Sequence, residues 1–314
     1  MGNKVASKKA PAAKPYPVDD IVQSLAVSGE FVVCTDWKGR IHVFETASGK
    51  RRHLLKPTKT EQGFRHVDFN NGTNQFACHC DPNLIQIRNV ETGKCLLQIE
   101  GAWGLGLKPN NGEFLVGIDP MDDEVLKIWD WKKPEQRLSI KMNRPLEEGQ
   151  SDICYLAFSL DGKSLATSGS HTPLEIWDLA TGRIKGRVSG WRQQFTCVDF
   201  SPDNEMIAGS DAYGHVRLWN VKTEKLANDI EASEKRIEQI RFSPDGKMLA
   251  ACGEDATIRL FDPASGDLLL TIKTAAIVNC LAFTSDSKFL YSGGSDKRIR
   301  KWDTKTGAEI GAKK

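Results

Sequence analysis

The feature that most restricts this chain is a sevenfold recurrence along almost its whole length. An alternating apolar run, an aromatic, often an acid and then a turn appear as "IHVFETASG" (41–49), "IQIRNVETG" (85–93), "LKIWDWKKP" (126–134) and "LEIWDLATG" (174–182). The pattern returns as "VRLWNVKTE" (216–224), "IRLFDPASG" (258–266) and "IRKWDTKTG" (299–307). The column residue is Phe44, Arg88, Trp129, Trp177, Trp219, Phe261 and Trp302, at spacings of 44, 41, 48, 42, 42 and 41. Such a period suits a four-stranded propeller blade. Ahead of the columns, "ICYLAFSLDGKSLATSGS" (153–170), "FTCVDFSPDNEMIAGSD" (195–211) and "IEQIRFSPDGKMLAACGED" (237–255) each read as strand, Pro/Asp/Gly turn, strand. A sheet this small must bury its faces against neighbours, so the units are stable only as a closed ring.

On these residues, from about 18 to 314, the chain resembles the WD-repeat β-propeller family. The resemblance implies an all-β chain: a seven-bladed β-propeller of four-stranded antiparallel blades over 18–314, behind a disordered basic leader at 1–17. In the family, a strand from the N-terminus commonly completes the last blade. Here "KVASKKAPAAKP" has prolines and few apolar residues and makes a poor strand. The C-terminal "AEIGAKK" (308–314) is therefore the expected outer strand.

The repeats depart from the family's pattern. Well-formed members hold each blade with His from a "GH" pair, Ser or Thr, Asp from the turn before the third strand, and the Trp. The chain's histidines are His42, His53, His66, His79, His171 and His215, and none lies in the "GH" column. Asp stands six residues before the column only at Asp123, Asp255 and Asp296. Lys38, Pro82, His171 or Tyr213 takes that place elsewhere. Most blades are thus expected to rely on packing and strand pairing.

No catalytic signature stands out: there is no P-loop, no Gly-x-Ser-x-Gly elbow and no zinc-protease helix motif. "GAWGLGLKPNNG" (101–112) lacks dinucleotide-binding spacing, and its glycines read as turn and packing positions. In "CHC" (78–80), strand alternation turns Cys78 and Cys80 to one face and His79 to the other, which opposes shared metal ligation. "DPMDDEV" (119–125) reads as a solvated loop. The expectation is a non-enzyme with no cofactor and no metal. The competing classes are a metal-dependent propeller hydrolase and a subunit of an RNA-handling assembly.

Charge bears on the second of these. Residues 1–17 carry Lys4, Lys8, Lys9 and Lys14 and no acid, which leaves −2 on the body of a chain whose total is +2. A near-neutral body lacks a nucleic-acid footprint. The leader has no apolar core to serve as a secretory signal, and no apolar run has the length of a membrane helix. Met1-Gly2-Asn3 is out of step with an acylation signal, since Ala6 stands where Ser or Thr is needed. Six of the eight cysteines (Cys34, Cys78, Cys154, Cys197, Cys252 and Cys280) lie in strand-like apolar runs, as buried free thiols would. A reducing cytoplasm, with no membrane partner, is the expected setting.

Binding is the better reading. By resemblance, the loops leading into each first strand and those between second and third strands share one face, the top. They contain Trp37, Trp103, Trp191 and Tyr213, beside Lys38, Arg192, Lys235, Arg236, Lys297 and Arg298. Exposed aromatics within a charged rim suit a peptide-binding surface. The expected function is a noncatalytic scaffold, part of a larger complex, binding a protein or peptide at Trp37, Trp103, Trp191, Arg192, Tyr213, Arg236 and Arg298. Trp191 replaces the His of "GH", so it is either a contact residue or a plug between blades.

Overall fold

The computed structural model describes residues 16–58, 63–69, 73–81, 83–100, 114–118, 125–130, 136–141, 153–169, 173–188 and 195–311. All the regular structure in them is β. A short strand β1 (Tyr16–Pro17) precedes blade one, which holds β2 (Val22–Ser28), β3 (Phe31–Asp36), β4 (Ile41–Glu45) and β5 (Arg51–Leu55). Blade two is β6 (Gly63–Phe69), β7 (Gln75–Asp81), β8 (Leu84–Asn89) and β9 (Cys95–Glu100). Blade three has three described strands, β10 (Phe114–Ile118), β11 (Val125–Asp130) and β12 (Gln136–Lys141). Blade four is β13 (Ile153–Phe158), β14 (Ser164–Gly169), β15 (Leu174–Asp178) and β16 (Arg183–Val188). Blade five is β17 (Phe195–Phe200), β18 (Met206–Asp211), β19 (His215–Asn220) and β20 (Leu226–Glu231). Blade six is β21 (Ile237–Phe242), β22 (Leu249–Gly253), β23 (Thr257–Phe261) and β24 (Leu268–Lys273). Blade seven is β25 (Val278–Phe283), β26 (Phe289–Gly294) and β27 (Arg298–Asp303), with β1 as its fourth strand.

Each sheet is antiparallel throughout, and in the six blades other than blade three the first strand lies inside. The first strands pack side by side: β2 lies against both β6 and β25, and β17 against both β13 and β21. The arrangement is a seven-bladed propeller, and its core is divided among the seams. Between blades four and five, Ala166 and Ile176 meet Phe195, Val198 and Trp219. Between blades six and seven, Leu260 and Ile272 meet Leu281, Leu290 and Trp302. The six aromatic column residues thus face the preceding blade. In blade two, Arg88 fills that place, with its guanidinium 5.5 Å from the Phe64 ring centroid and a hydrogen bond donated to the Gly93 carbonyl.

Around the central channel, side chains of one inner strand bond the backbone of the next blade. Asp199 Oδ2 accepts from Phe242 N at 2.9 Å, Gln239 Oε1 from Leu281 N at 2.5 Å, and Ser24 Oγ from Val67 N at 3.2 Å. Asn279 Nδ2 donates to Val22 O at 2.9 Å, which carries the same stitch across the closure. These bonds join strands from different sheets, where no ladder exists to satisfy the backbone groups.

The closure differs from the sequence expectation. Tyr16 and Pro17 pair with Ile299 and Arg298, so the N-terminal segment supplies the fourth strand, from two residues ahead of the expected boundary at 18. The C-terminal segment contributes one bridge, Glu309 opposite Trp302. Two residues suffice because Tyr16 is an anchor. Its ring is buried against Phe44 and Tyr291, and its hydroxyl donates to the Thr46 carbonyl at 2.9 Å. Pro17 fits an edge strand, where its missing N–H is not needed.

One irregularity recurs. In all six described outer strands that follow a column, the register shifts opposite the column residue, leaving one extra residue on the outer strand.

Candidate functional site

The top face is built by turns that the sequence rule of six residues before the column only half describes. Blades six and seven follow it: Asp255 and Asp296 hold Arg259 and Arg300. In blades one and five the acid sits two residues earlier, as Asp36 and Asp211 at the ends of β3 and β18. Asp36 Oδ1 accepts from Arg40 N at 3.0 Å, while Oδ2 meets Arg40 Nε and His42 Nε2, each at 2.8 Å. Asp211 Oδ1 accepts from Tyr213 N at 2.8 Å and His215 N at 3.0 Å. The missing acids of these two blades are therefore present, displaced by two. The overlooked signal is the pair "DWKG" (36–39) and "DAYG" (211–214), in which an Asp caps its own glycine turn.

One arm of the family's polar set also survives. Trp177 Nε1 donates to Thr167 Oγ1 at 3.0 Å, and Trp302 Nε1 to Ser292 Oγ at 2.8 Å. Burial works against ionisation of Asp36, but the hydrogen bonds from His42 and Arg40 outweigh it and hold the carboxyl at about 2. His42 is fully buried beside it. This Asp–His–Arg group is a turn brace, with the place of the family's buried network and no exposed nucleophile.

These turns fix two aromatics and leave them in solvent. Trp37 has its N–H bonded to Ile21 O at 2.8 Å and is followed by Gly39 (φ 67°), yet its side chain is 63% exposed. A Cβ on Gly39 would lie 2.5 Å from Gly63 Cα, so the turn is pressed against the strand opening blade two. Tyr213 is equally exposed, and the carbonyl of Gly214 accepts from Ala232 N and Ser233 N. The Trp37 turn lies on blade one, bonded to Ile21 at that blade's entry and packed on blade two through Gly39, and the Tyr213 turn lies at the seam of blades five and six. Blades six and seven separate them, so one anchor cannot engage both, as the sequence reading had grouped them. Trp103, Trp191 and Arg192 lie outside the described residues.

Beside Trp37, Lys38 and Lys297 share the carboxylate of Asp20, each at 3.5 Å. Arg298 is exposed at the start of β27. Beside Tyr213, Arg236 is tied to Glu238 at 3.1 Å, and Lys235 is exposed with Glu231 and Glu234. A central cavity of about 1410 Å³ runs between the inner strands, and Trp37 lies among its lining residues with Arg65, Asp68, Tyr155 and Glu238. Among the described residues no three His, Cys, Asp or Glu side chains are grouped to hold a metal ion. No described helix is long and apolar enough to cross a membrane.

Comparison with known proteins agrees with this architecture. Residues 198–286 match the family described as the anaphase-promoting complex subunit 4 WD40 domain. A 49-residue segment is 43% identical to serine-threonine kinase receptor-associated protein of Homo sapiens, Bos taurus and Gallus gallus. The match covers 16% of this chain and 14% of each relative. With seven repeats folded as seven blades, the chain is a WD-repeat β-propeller. Propellers of this kind generally serve as protein-interaction scaffolds.

Proposed function

We propose that the chain is a noncatalytic scaffold that holds a segment of a protein partner on its top face, within a larger complex in the cytoplasm. The observation that carries this is Trp37, a large aromatic exposed on a turn whose backbone is pinned on both sides. An anchor already fixed in place loses little freedom on binding. Tyr213, with Lys235 and Arg236, forms a second contact region on the same face. The free cysteines support the reducing setting: of the seven whose side chains are described, six are buried and Cys95 is exposed. The test is affinity capture from extract of the chain's own cells with the wild type, Trp37→Ala and Tyr213→Ala, alongside thermal unfolding. Loss of a specific partner at unchanged Tm supports the reading. An intact partner set for both variants removes it.

A further inference from the structure

The two exposed aromatics stand in different electrostatic surroundings. At the seam of blades seven and one, the cations are outermost and their carboxylates recessed: the Lys38 and Lys297 side chains are 66% and 51% exposed, against 14% for Asp20. Asp36 is buried beneath, and Asp296 is engaged by Arg300. Asp19, at the edge of the seam, is taken by Arg40 and Arg51. Arg298 has no ion pair among the described residues. At the seam of blades five and six the outer charges are of both signs: Glu231, Glu234 and Lys235 are exposed, Asp229 holds Arg217, and Arg236 is matched by Glu238. A chain approaching Trp37 therefore meets positive charge first, and one approaching Tyr213 meets both signs.

We infer that the top of blades seven and one docks an acidic peptide segment, with an apolar residue on Trp37 and carboxylates on Lys38, Lys297 and Arg298. This rests on the top face being the binding face. Each ammonium has three donors and spends one side on Asp20 at a long 3.5 Å, so a second carboxylate can be accepted from solvent. The unpaired guanidinium of Arg298 is open to a bidentate contact. Lys297 sits in a left-handed turn position (φ 62°), the place taken by Gly39 in blade one and Gly214 in blade five. A non-glycine residue held there costs backbone energy, and the side chain it presents is the ammonium facing Asp20. Three outer cations and an acid at the edge favour a short acidic segment over a phosphate polymer, which needs a longer basic track.

The test is fluorescence anisotropy with a labelled synthetic peptide in which Asp and Glu flank one Leu. Its counterpart with Lys for every acid and a single-stranded RNA oligonucleotide are run in parallel. The acidic peptide is expected to bind and to weaken as salt rises, and the Lys peptide not to bind. Trp37→Ala is expected to weaken binding by ~10-fold or more, as loss of an aromatic anchor does. Lys297→Gly, which also relaxes the turn and so keeps the fold, and Arg298→Ala should each weaken it ~3- to 10-fold. Leu269→Ser on the distant rim should leave it unchanged. Absence of binding, indifference to Trp37→Ala, equal loss in Tyr213→Ala, or tighter binding of the RNA would each overturn the assignment. If the acidic peptide fails while partner capture still depends on Trp37, the acidic specificity falls and the scaffold reading stands. If capture is also indifferent to both Trp37→Ala and Tyr213→Ala, both fall.

Discussion

Asp199 of the fifth blade accepts the backbone N–H of Phe242 in the sixth at 2.9 Å, a hydrogen bond between two sheets that share no ladder. Asp199 is buried, and the Arg241 guanidinium feels its charge together with that of Asp68. Asp199→Ala orphans an amide and leaves a half-buried cation short of one partner, which should destabilise the protein by about 2–3 kcal/mol. Asp199→Asn keeps the acceptor and should lose less. Urea unfolding of both variants checks this, and equal losses would contradict it.

Acid should loosen blade one through Asp36. Its folded value, about 2, lies below the ordinary carboxylate value near 4, so its stabilisation is fully present above the latter. It is lost as pH falls from about 4 towards 2, and the full contribution is on the order of 2 kcal/mol. Asp36→Asn should flatten the stability curve in that window while leaving the slope above pH 5 intact. A variant that tracks the wild type throughout would show that the brace is not the titrating group.

Ala256 holds φ 56° in the blade-six turn where blade one has Gly39 and blade five has Gly214. Replacing Ala256 with Gly should relieve the left-handed conformation and raise stability by roughly 1 kcal/mol. Gly39→Ala should do the reverse and cost more, because its Cβ would collide with the backbone of Gly63. Chemical denaturation of the pair gives opposite signs if the turn geometry is right.

Thiol chemistry offers a map of burial. Desolvation pushes Cys280 up to about 12 and raises Cys34 and Cys252 well above the free thiol. Brief alkylation of the native protein should label Cys95 and spare Cys34, Cys78, Cys80, Cys197, Cys252 and Cys280. Peptide mapping by mass spectrometry reads the outcome, and early labelling of Cys280 would mean the seam of blades seven and one opens readily.

The repeat was fully legible because it depends on spacing, and spacing alone delivered the blades. The closure was not, since it depends on one side chain. Tyr16 follows a run of lysines and prolines that carries no strand pattern, and only the pocket made by Phe44, Thr46 and Tyr291 explains why it orders. The top-face turns were half legible. Trp37 and Tyr213 stood out as aromatics beside glycine. The acids that hold those turns were missed because a fixed offset was demanded of a carboxylate that can act from either end of the turn. Arg88 breaks the aromatic pattern of the column, yet it is a long side chain lying on Phe64 in the aromatic's place.

The extra residue on the outer strands has a consequence for how this molecule keeps company. A stranger's strand can zip onto a sheet only if the exposed amides and carbonyls present themselves at an even beat. Here six rims break step at the same point, opposite the column residue. The seventh is patched from two separate stretches of chain. The circumference is therefore poor ground for cross-β growth, and a disc insulated around its edge is left to be addressed through its faces.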